Sequence, residues 1–445
     1  MAETTQSAHT DECERDMSWG MVLALASDVK LIAASVALWL FVAPASARGY
    51  SVLAHESSVD ALWESHIQPL LRRKFPRATT AEILEARAYC YGGSVIQDLG
   101  YYPFGSHFFS NLMHYVRSGD FVETMLRESN SLDEYAFAIG ALAHYAADNV
   151  GHPEAVNRAV AMMYPKLRAK YGDSITYVKS PASHIVVEFS FDVVQAAAGA
   201  YETDTYHRFI GFKVAKPLLA RVFTQIYGLE IEDVFLFDED LAIGSYRRAV
   251  SKTIPKVTEI AWRDHQEEIE RLTPGVTRDQ FVFALSTAQY EREYGTVYKK
   301  PGWWTRVLQF GYALVPKVGP LRPLKFEIPT KEAEALFQAS LKNTRDRFRQ
   351  ELVAVRRNRL DLANTDFDTG RVAAHGEYEL ADDTYAELLE QLEKREFEDV
   401  PAALRRNITS YYDRAPKQTA SEHERKHRED VQRALASLRK QPLAD

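Results

Sequence analysis

The stretch "ALAHYAADNVGHPE", residues 141–154, decides how this chain folds. The run leading into it, "EYAFAIGALAHYAAD" from Glu134 to Asp148, is almost continuously Ala, Ile, Leu, Phe and Tyr. A helix that is apolar on every side is a buried helix. His144 and Asp148 inside it cost free energy unless a partner or a metal ion answers them. They stand four residues apart and share one helix face, so both can reach a single ion. His152 is one further step of four. Gly151 is expected to end the helix in the left-handed conformation, and Pro153 disfavours helix at the residue before it. His152 is therefore expected to splay from the helix end toward a second ion.

Outward from this segment, the pattern stays helical. "DALWESHIQPLLRRKF" (60–75) and "TTAEILEARAYCY" (79–91) place apolar residues three and four apart. Thr79 or Thr80 suits a helix N-cap, with Glu82 or Glu85 behind it. "PASHIVVEFSFDVVQAAAGAY" (181–201) has Ser180 as a cap and Pro181 in the first turn, although "IVVEFSF" also reads locally as a strand. "YHRFIGFKVAKPLLARVFTQIYG" (206–228), "TRDQFVFALSTAQYEREYG" (277–295) and "TKEAEALFQASLKNTRDRFRQELVAVRRNRLDL" (330–362) continue the helical spacing. No Asn-Gly hairpin separates alternating runs, which argues against a sheet-rich fold. The expected fold is all-α, a multi-helix bundle with a metal site between helices of the N-terminal two-thirds.

With 445 residues and 46% hydrophobic content, the chain can bury a substantial core. Its net charge of -8 is not the basic footprint of a nucleic-acid binder. "KLIAASVALWLFVAPASARGY" (30–50) reads as an export leader, with Lys30, an apolar core and the small-residue site Ala45-Ser46-Ala47. The apolar run is shorter than the roughly 20 residues of a spanning helix. Met17 or Met21 is the expected start, and cleavage makes Arg48 the mature N-terminus; the alternative is an uncleaved membrane anchor. Of the two cysteines, Cys13 precedes that cleavage point and leaves Cys90 alone, so any metal has to be held by His and carboxylates.

The expected organisation is a leader over 1–47, a helical metal-binding domain over 48–300, an aromatic Gly/Pro-rich segment with a helix packing on it over 301–360, and a polar connector with a charged helical tail over 361–445. The third part contains "GWWTRVLQFGYALV" (302–315), where Trp303 and Trp304 suit either a membrane interface or the core.

Seven of the thirteen histidines fall between residues 55 and 184: His55, His66, His107, His114, His144, His152 and His184. His184 and Glu188 repeat the spacing of four seen at His144 and Asp148. Two such pairs, with further His and Asp nearby, suit a multinuclear zinc site with nitrogen and oxygen ligands. "HESSVD" (55–60) fails as a His-Glu-x-x-His motif because Val59 occupies the second ligand position, and "YGGSVIQDLG" (91–100) lacks the Lys-Ser/Thr of a phosphate loop. His66 reads as a surface residue.

Taken in order, His55, Asp98, "MHYVRSGDF" with His114, "AHYAADNVGH" and "SHIVVE" resemble the zinc-dependent phospholipase C family, whose relatives include the glycosylphosphatidylinositol-specific phospholipases D. The resemblance covers roughly residues 49–260 and is most specific at 144–152. It implies a zinc-dependent phosphodiester hydrolase acting on phospholipids, with two or three zinc ions. Asp98, His114, His144 and Asp148 hold one ion in that pattern, and His152, His184 and Glu188 a second. A third is shared through Asp148 and bound by His55, with the mature N-terminal amine in the best-known members. His107 competes with His114, which matches the family better. The resemblance also implies Asp98 and Asp148 as catalytic residues, Asp98 orienting the attacking water. The expected mature start "RGYSVLAH" departs from the Trp with which bacterial members begin. Single-strand-specific zinc nucleases share a similar metal site; the acidic balance of this chain argues against nucleic acid. A non-catalytic helical lipid- or envelope-binding protein with a structural metal is the reading from another class. The expected location is secreted or periplasmic.

Overall fold

Every side chain of the helix at Leu132–Gly151 from Tyr135 onward is buried, and the other elements are arranged around it. The computed structural model describes residues 52–197, 213–235, 238–248, 329–413 and 422–440, with scattered positions between 259 and 278. The leader, Cys13, the 277–295 helix beyond its first two residues, and Trp303 and Trp304 lie outside the described residues.

In chain order, α1 spans Val52–Leu62 and runs through a π-helical turn, Trp63–Ile67, into α2, Gln68–Lys74. Then come α3 (Thr80–Val95), a 3-10 turn (Ile96–Tyr101), α4 (His107–Tyr115), α5 (Ser118–Glu128) and α6 (Leu132–Gly151). A second π turn, His152–Val156, leads to α7 (Asn157–Met163), α8 (Pro165–Tyr171) and α9 (Pro181–Ala197). The region after that contributes α10 (Lys216–Tyr227), α11 (Ile231–Val234) and α12 (Glu239–Arg248). The C-terminal part supplies α13 (Lys331–Arg356), a two-residue antiparallel pair of strands, β1 (Thr365–Asp366) and β2 (Arg371–Val372), and α14 (Glu379–Lys394), α15 (Ala402–Tyr412) and α16 (Glu422–Lys440). The all-α reading holds, and "IVVEFSF" is helix within α9. No helix among the described residues is long and apolar enough to cross a membrane.

Local chemistry sets the helix starts. Thr79 caps α3 in a reciprocal box: its hydroxyl accepts from the Glu82 N–H while the Glu82 carboxylate accepts from the Thr79 N–H at 2.7 Å. Ser131 accepts from the Glu134 N–H at 3.2 Å at the start of α6, where Asp133 and Glu134 also complement the helix dipole.

Glycine decides how closely the central helices approach. A Cβ on Gly93 of α3 would lie 1.8 Å from the Phe137 carbonyl oxygen of α6, and one on Gly140 of α6 would lie 1.9 Å from the Cys90 carbonyl oxygen of α3. The two backbones touch, and no other residue type fits at either position. Around this contact a single large core joins residues of α1 through α6 and α10 through α16, among them Phe109, Phe137, Phe223, Phe348, Phe367 and Leu388. A smaller cluster of Ala147, Val156, Val160, Val187, Phe191 and Phe337 locks α9 and α13 onto the end of α6. Burial at about 25 cal/mol per Å2 makes these contacts the main stabilising term.

The end of α6 departs from expectation. Gly151 is right-handed, with φ -62° and ψ -49°, and the chain continues as helix through His152. The wider π turn at His152–Val156 accommodates Pro153, which has no N–H to offer and whose ring would clash in a continuous α-helix.

The stretch from residue 361, expected as a polar connector, is built into the core. The Tyr145 hydroxyl donates to the Ala363 carbonyl at 2.9 Å, the Ser118 hydroxyl to the Thr365 carbonyl at 2.7 Å, and the Asp120 N–H to Asn364 Oδ1 at 3.0 Å. A Cβ on Gly119 would sit 2.6 Å from the carbonyl oxygens of both Leu362 and Ala363. The segment is polar because it is satisfied by side chains of α5 and α6, and not because it faces water.

Candidate metal centre

Four elements converge on the buried end of α6. The 3-10 turn after α3 brings Asp98, α4 brings His114, α6 itself carries His144 and Asp148, and α1 brings His55. The four histidine and carboxylate groups Asp98, His114, His144 and Asp148 lie with one donor atom each inside 4.8 Å of one another. His152, His184 and Glu188 form a second such group. All seven are buried, as is His55.

Hydrogen bonds fix the imidazoles. His114 Nδ1 donates to the Ser110 carbonyl at 2.8 Å, and His144 Nδ1 donates to the Ser94 carbonyl at 3.0 Å. In the neutral ring, the form that binds a metal, each therefore turns the lone pair of Nε2 to the carboxylates. His184 is turned the other way. Its Nε2 donates to the Ile175 carbonyl at 2.5 Å, so Nδ1 faces Glu188 at 3.3 Å.

The donor separations are those of ligands around an ion. Tetrahedral zinc with bonds of about 2.0–2.1 Å sets neighbouring donors about 3.3 Å apart. His144 Nε2 lies 3.1 Å, and His114 Nε2 3.4 Å, from Asp148 Oδ2; His114 Nε2 is also 3.4 Å from Asp98 Oδ1. The two imidazole Nε2 atoms and both Asp148 oxygens make no hydrogen bond within the protein. Asp148 divides its carboxylate: Oδ2 faces His144 and His114, while Oδ1 faces His55 Nε2 at 3.4 Å. Asp98 Oδ2 also approaches His55, at 3.9 Å. The His55 and His144 rings stack with centroids 4.3 Å apart.

Protein charges alone leave this interior in conflict. Burial, then His144, His152 and His114, push the His55 imidazole down to about 3, so it is neutral. Burial pushes Glu188 well above the usual carboxylate range, and Asp148, Asp98 and Asp368 add to the shift. Burial likewise raises Asp98. Asp148 is held well below its ordinary value: burial opposes this, and His144, His114 and His55 outweigh it. Among the described residues, the cationic groups within ion-pair reach of Asp98, Asp148 and Glu188 are histidines. Divalent ions reverse this balance and favour every carboxylate as the anion. The donor set, nitrogen and oxygen without sulfur, fits zinc.

The eight residues expected to bind metal are thus brought together. His107 is not: it is exposed at the start of α4, its ring 5.7 Å from Tyr101, while His114, about two turns further along the same helix, is fully buried. His66 is on the surface side and bonds Ser65.

Three residues at the site were not expected. Asp192 accepts from the Leu53 N–H at 2.9 Å and the Ala54 N–H at 3.2 Å, so it caps α1 and positions His55. The signal was present, since Asp192 continues the spacing of four through His184 and Glu188. Phe367 packs on the back of His114 and His144, with ring centroids at 5.1 and 5.9 Å. Asp368 is fully buried, with Oδ1 3.8 Å from His152 Nε2. The short "DFDTG" that carries the last two reads as a turn by itself.

A family model described as zinc-dependent phospholipase C matches residues 59–237, a span that holds seven of the eight expected ligands and excludes His55. Comparisons with curated proteins and with solved structures give no match.

Proposed function

We propose, from the match of residues 59–237 to the zinc-dependent phospholipase C family, that the chain is a phosphoric diester hydrolase that cleaves phospholipids. The observation that carries this reading is the pair of buried His/carboxylate groups, whose donor atoms lie within 4.8 Å of one another inside the matched span.

Zinc bound there supplies Lewis acidity toward the phosphoryl oxygens and a water acidified to near-neutral pKa. Asp98, His114, His144 and Asp148 hold one ion, and His152, His184 and Glu188 another. His55 and the outer oxygen of Asp148 face a third position, which in the family pattern the mature N-terminal amine completes. The Ser94 and Ser110 carbonyls lock two imidazoles in the liganding tautomer. Asp98 stands at the junction, with Oδ1 toward His114 and Oδ2 toward His55. In this reading it accepts the proton of the attacking water and orients it.

Export belongs to the same proposal, because a phospholipid surface and a leader ending at Ala47 point to a secreted or periplasmic enzyme. Trp303 and Trp304 are proposed to rest at the lipid interface. Replacing both by Ala is expected to weaken liposome binding while sparing a soluble short-chain substrate; equal loss of both activities would return them to the core.

The deciding experiment combines metal analysis of the purified mature protein with turnover of a phospholipid panel and of single-stranded DNA. Bound zinc with chelator-sensitive phospholipid cleavage is expected. Cleavage of DNA and not lipid would make the protein a nuclease of the same metal class, and zinc without turnover on any phosphodiester would make the metal structural.

A further inference from the structure

We propose that Asp368, which lies beyond the family-matched residues 59–237, is a fourth protein donor to the ion held by His152, His184 and Glu188. The inference rests on the zinc reading above.

The carboxylate is fully buried, and its two oxygens have different surroundings. Oδ2 accepts from the Tyr115 hydroxyl at 2.8 Å and from the Tyr378 hydroxyl. That fixes the plane of the group and turns Oδ1 toward His152 Nε2, 3.8 Å away. Donors on one zinc ion stand about 3.3 Å apart, so Oδ1 is a few tenths of an ångström from donor spacing to His152 Nε2. Two neutral imidazoles and one carboxylate otherwise leave a net positive charge on a divalent ion in a buried position, and a second carboxylate neutralises it.

The backbone is tied to the same ligand. The Asp368 carbonyl accepts from Asn157 Nδ2 at 2.8 Å, and Asn157 directly follows the π turn that begins with His152. Gly370 adopts φ +68°, and a Cβ there would lie 2.7 Å from the Asn149 carbonyl oxygen, so the turn between β1 and β2 seats directly on the end of α6. The Phe367 N–H donates to the His114 carbonyl at 3.3 Å, which ties the same turn to the first ion's helix. The C-terminal segment is therefore part of the metal centre, although nothing in the matched span encodes it.

The test uses the full mature chain. Zinc per chain is measured against graded chelator for the wild type, Asp368→Asn and His152→Ala, and melting temperature is followed with and without zinc. Asp368→Asn is expected to weaken one ion by 10–100-fold, the same ion that His152→Ala loses, while leaving the others in place. The stabilisation by zinc should shrink accordingly. A residue that only anchors the turn would lower the melting temperature equally with and without zinc and leave the chelator titration unchanged, and that result overturns the proposal. If Asp368→Asn does not fold, Asp368→Glu keeps the charge and lengthens the reach. Its cobalt(II)-loaded form should show an altered visible spectrum, and an unaltered one overturns the proposal. Failure of the wild type to bind zinc would overturn the zinc reading as well, whereas normal zinc in Asp368→Asn beside loss in His152→Ala overturns this inference alone.

Discussion

A Cβ on Gly140 would lie 1.9 Å from the carbonyl oxygen of Cys90. The contact brings α6 against α3 one turn before His144, and it puts His144 Nδ1 within 3.0 Å of the Ser94 carbonyl on the facing helix. Gly140→Ala is therefore expected to destabilise the fold by about 1–3 kcal/mol or more through forced separation of the two helices. Zinc per folded chain should fall with it. Gly172, at φ +89° and ψ -164°, is the contrast: its Cβ would meet nothing within 4 Å, so Gly172→Ala should cost about 1–3 kcal/mol through backbone strain alone and leave zinc per folded chain unchanged. Denaturant unfolding with metal analysis checks both.

Asp148→Asn preserves shape and removes the charge that faces His144, His114 and His55. It is expected to lose zinc and nearly all phosphodiester turnover, and His144→Ala likewise. Removing metal from the wild type should destabilise it, by roughly 4 kcal/mol where zinc had stood at a thousand times its Kd. Full zinc and full turnover in Asp148→Asn would dismiss the cluster as the active site.

Phe367 is fully buried against two of these imidazoles. Phe367→Ala should cost about 3–5 kcal/mol through the cavity it leaves. It should also weaken zinc binding without removing any donor. Unchanged affinity in the folded variant would restrict Phe367 to packing.

Glu351 on α13 gives a pH signature away from the metal. Burial raises its carboxyl to about 7, with Arg347 Nε at 2.9 Å opposing the shift. The folded form binds the proton more tightly than the unfolded chain. The resulting stability is full below the ordinary carboxylate pKa and is lost as pH rises through about 7. Glu351→Gln lacks this dependence, so the wild type should lose stability relative to it between pH 5 and 8. A difference that does not change with pH, measured by urea unfolding, would contradict the assignment.

N-terminal sequencing of the exported protein is expected to begin near Arg48, after Ala45-Ser46-Ala47. Recovery only from the cytosol with an intact leader would refute export.

The sequence by itself determined what depends on neighbours along one helix. The apolar run before His144 made α6 a buried helix, the spacing of four paired His144 with Asp148 and His184 with Glu188, and Thr79 or Thr80 with Glu82 or Glu85 marked the start of α3. These follow from a period of 3.6 residues and from capping, which need no partner element. The tertiary structure decided what depends on contacts distant in the chain. Gly151 looked like a helix end, yet α9 and α13 pack on the next turn and a π turn carries the helix past Pro153. The spacing left His107 and His114 both open, since seven residues put them on one face of α4, and burial separates them: the first turn, with His107, is exposed, and the last turn, with His114, meets the site. Asp368 is the furthest case: Tyr115, 253 residues away, holds its carboxylate, and no local pattern in "DFDTG" specifies that neighbour. A polar stretch reads as solvent-facing until the groups that satisfy its backbone are known, and here those groups belong to α5 and α6.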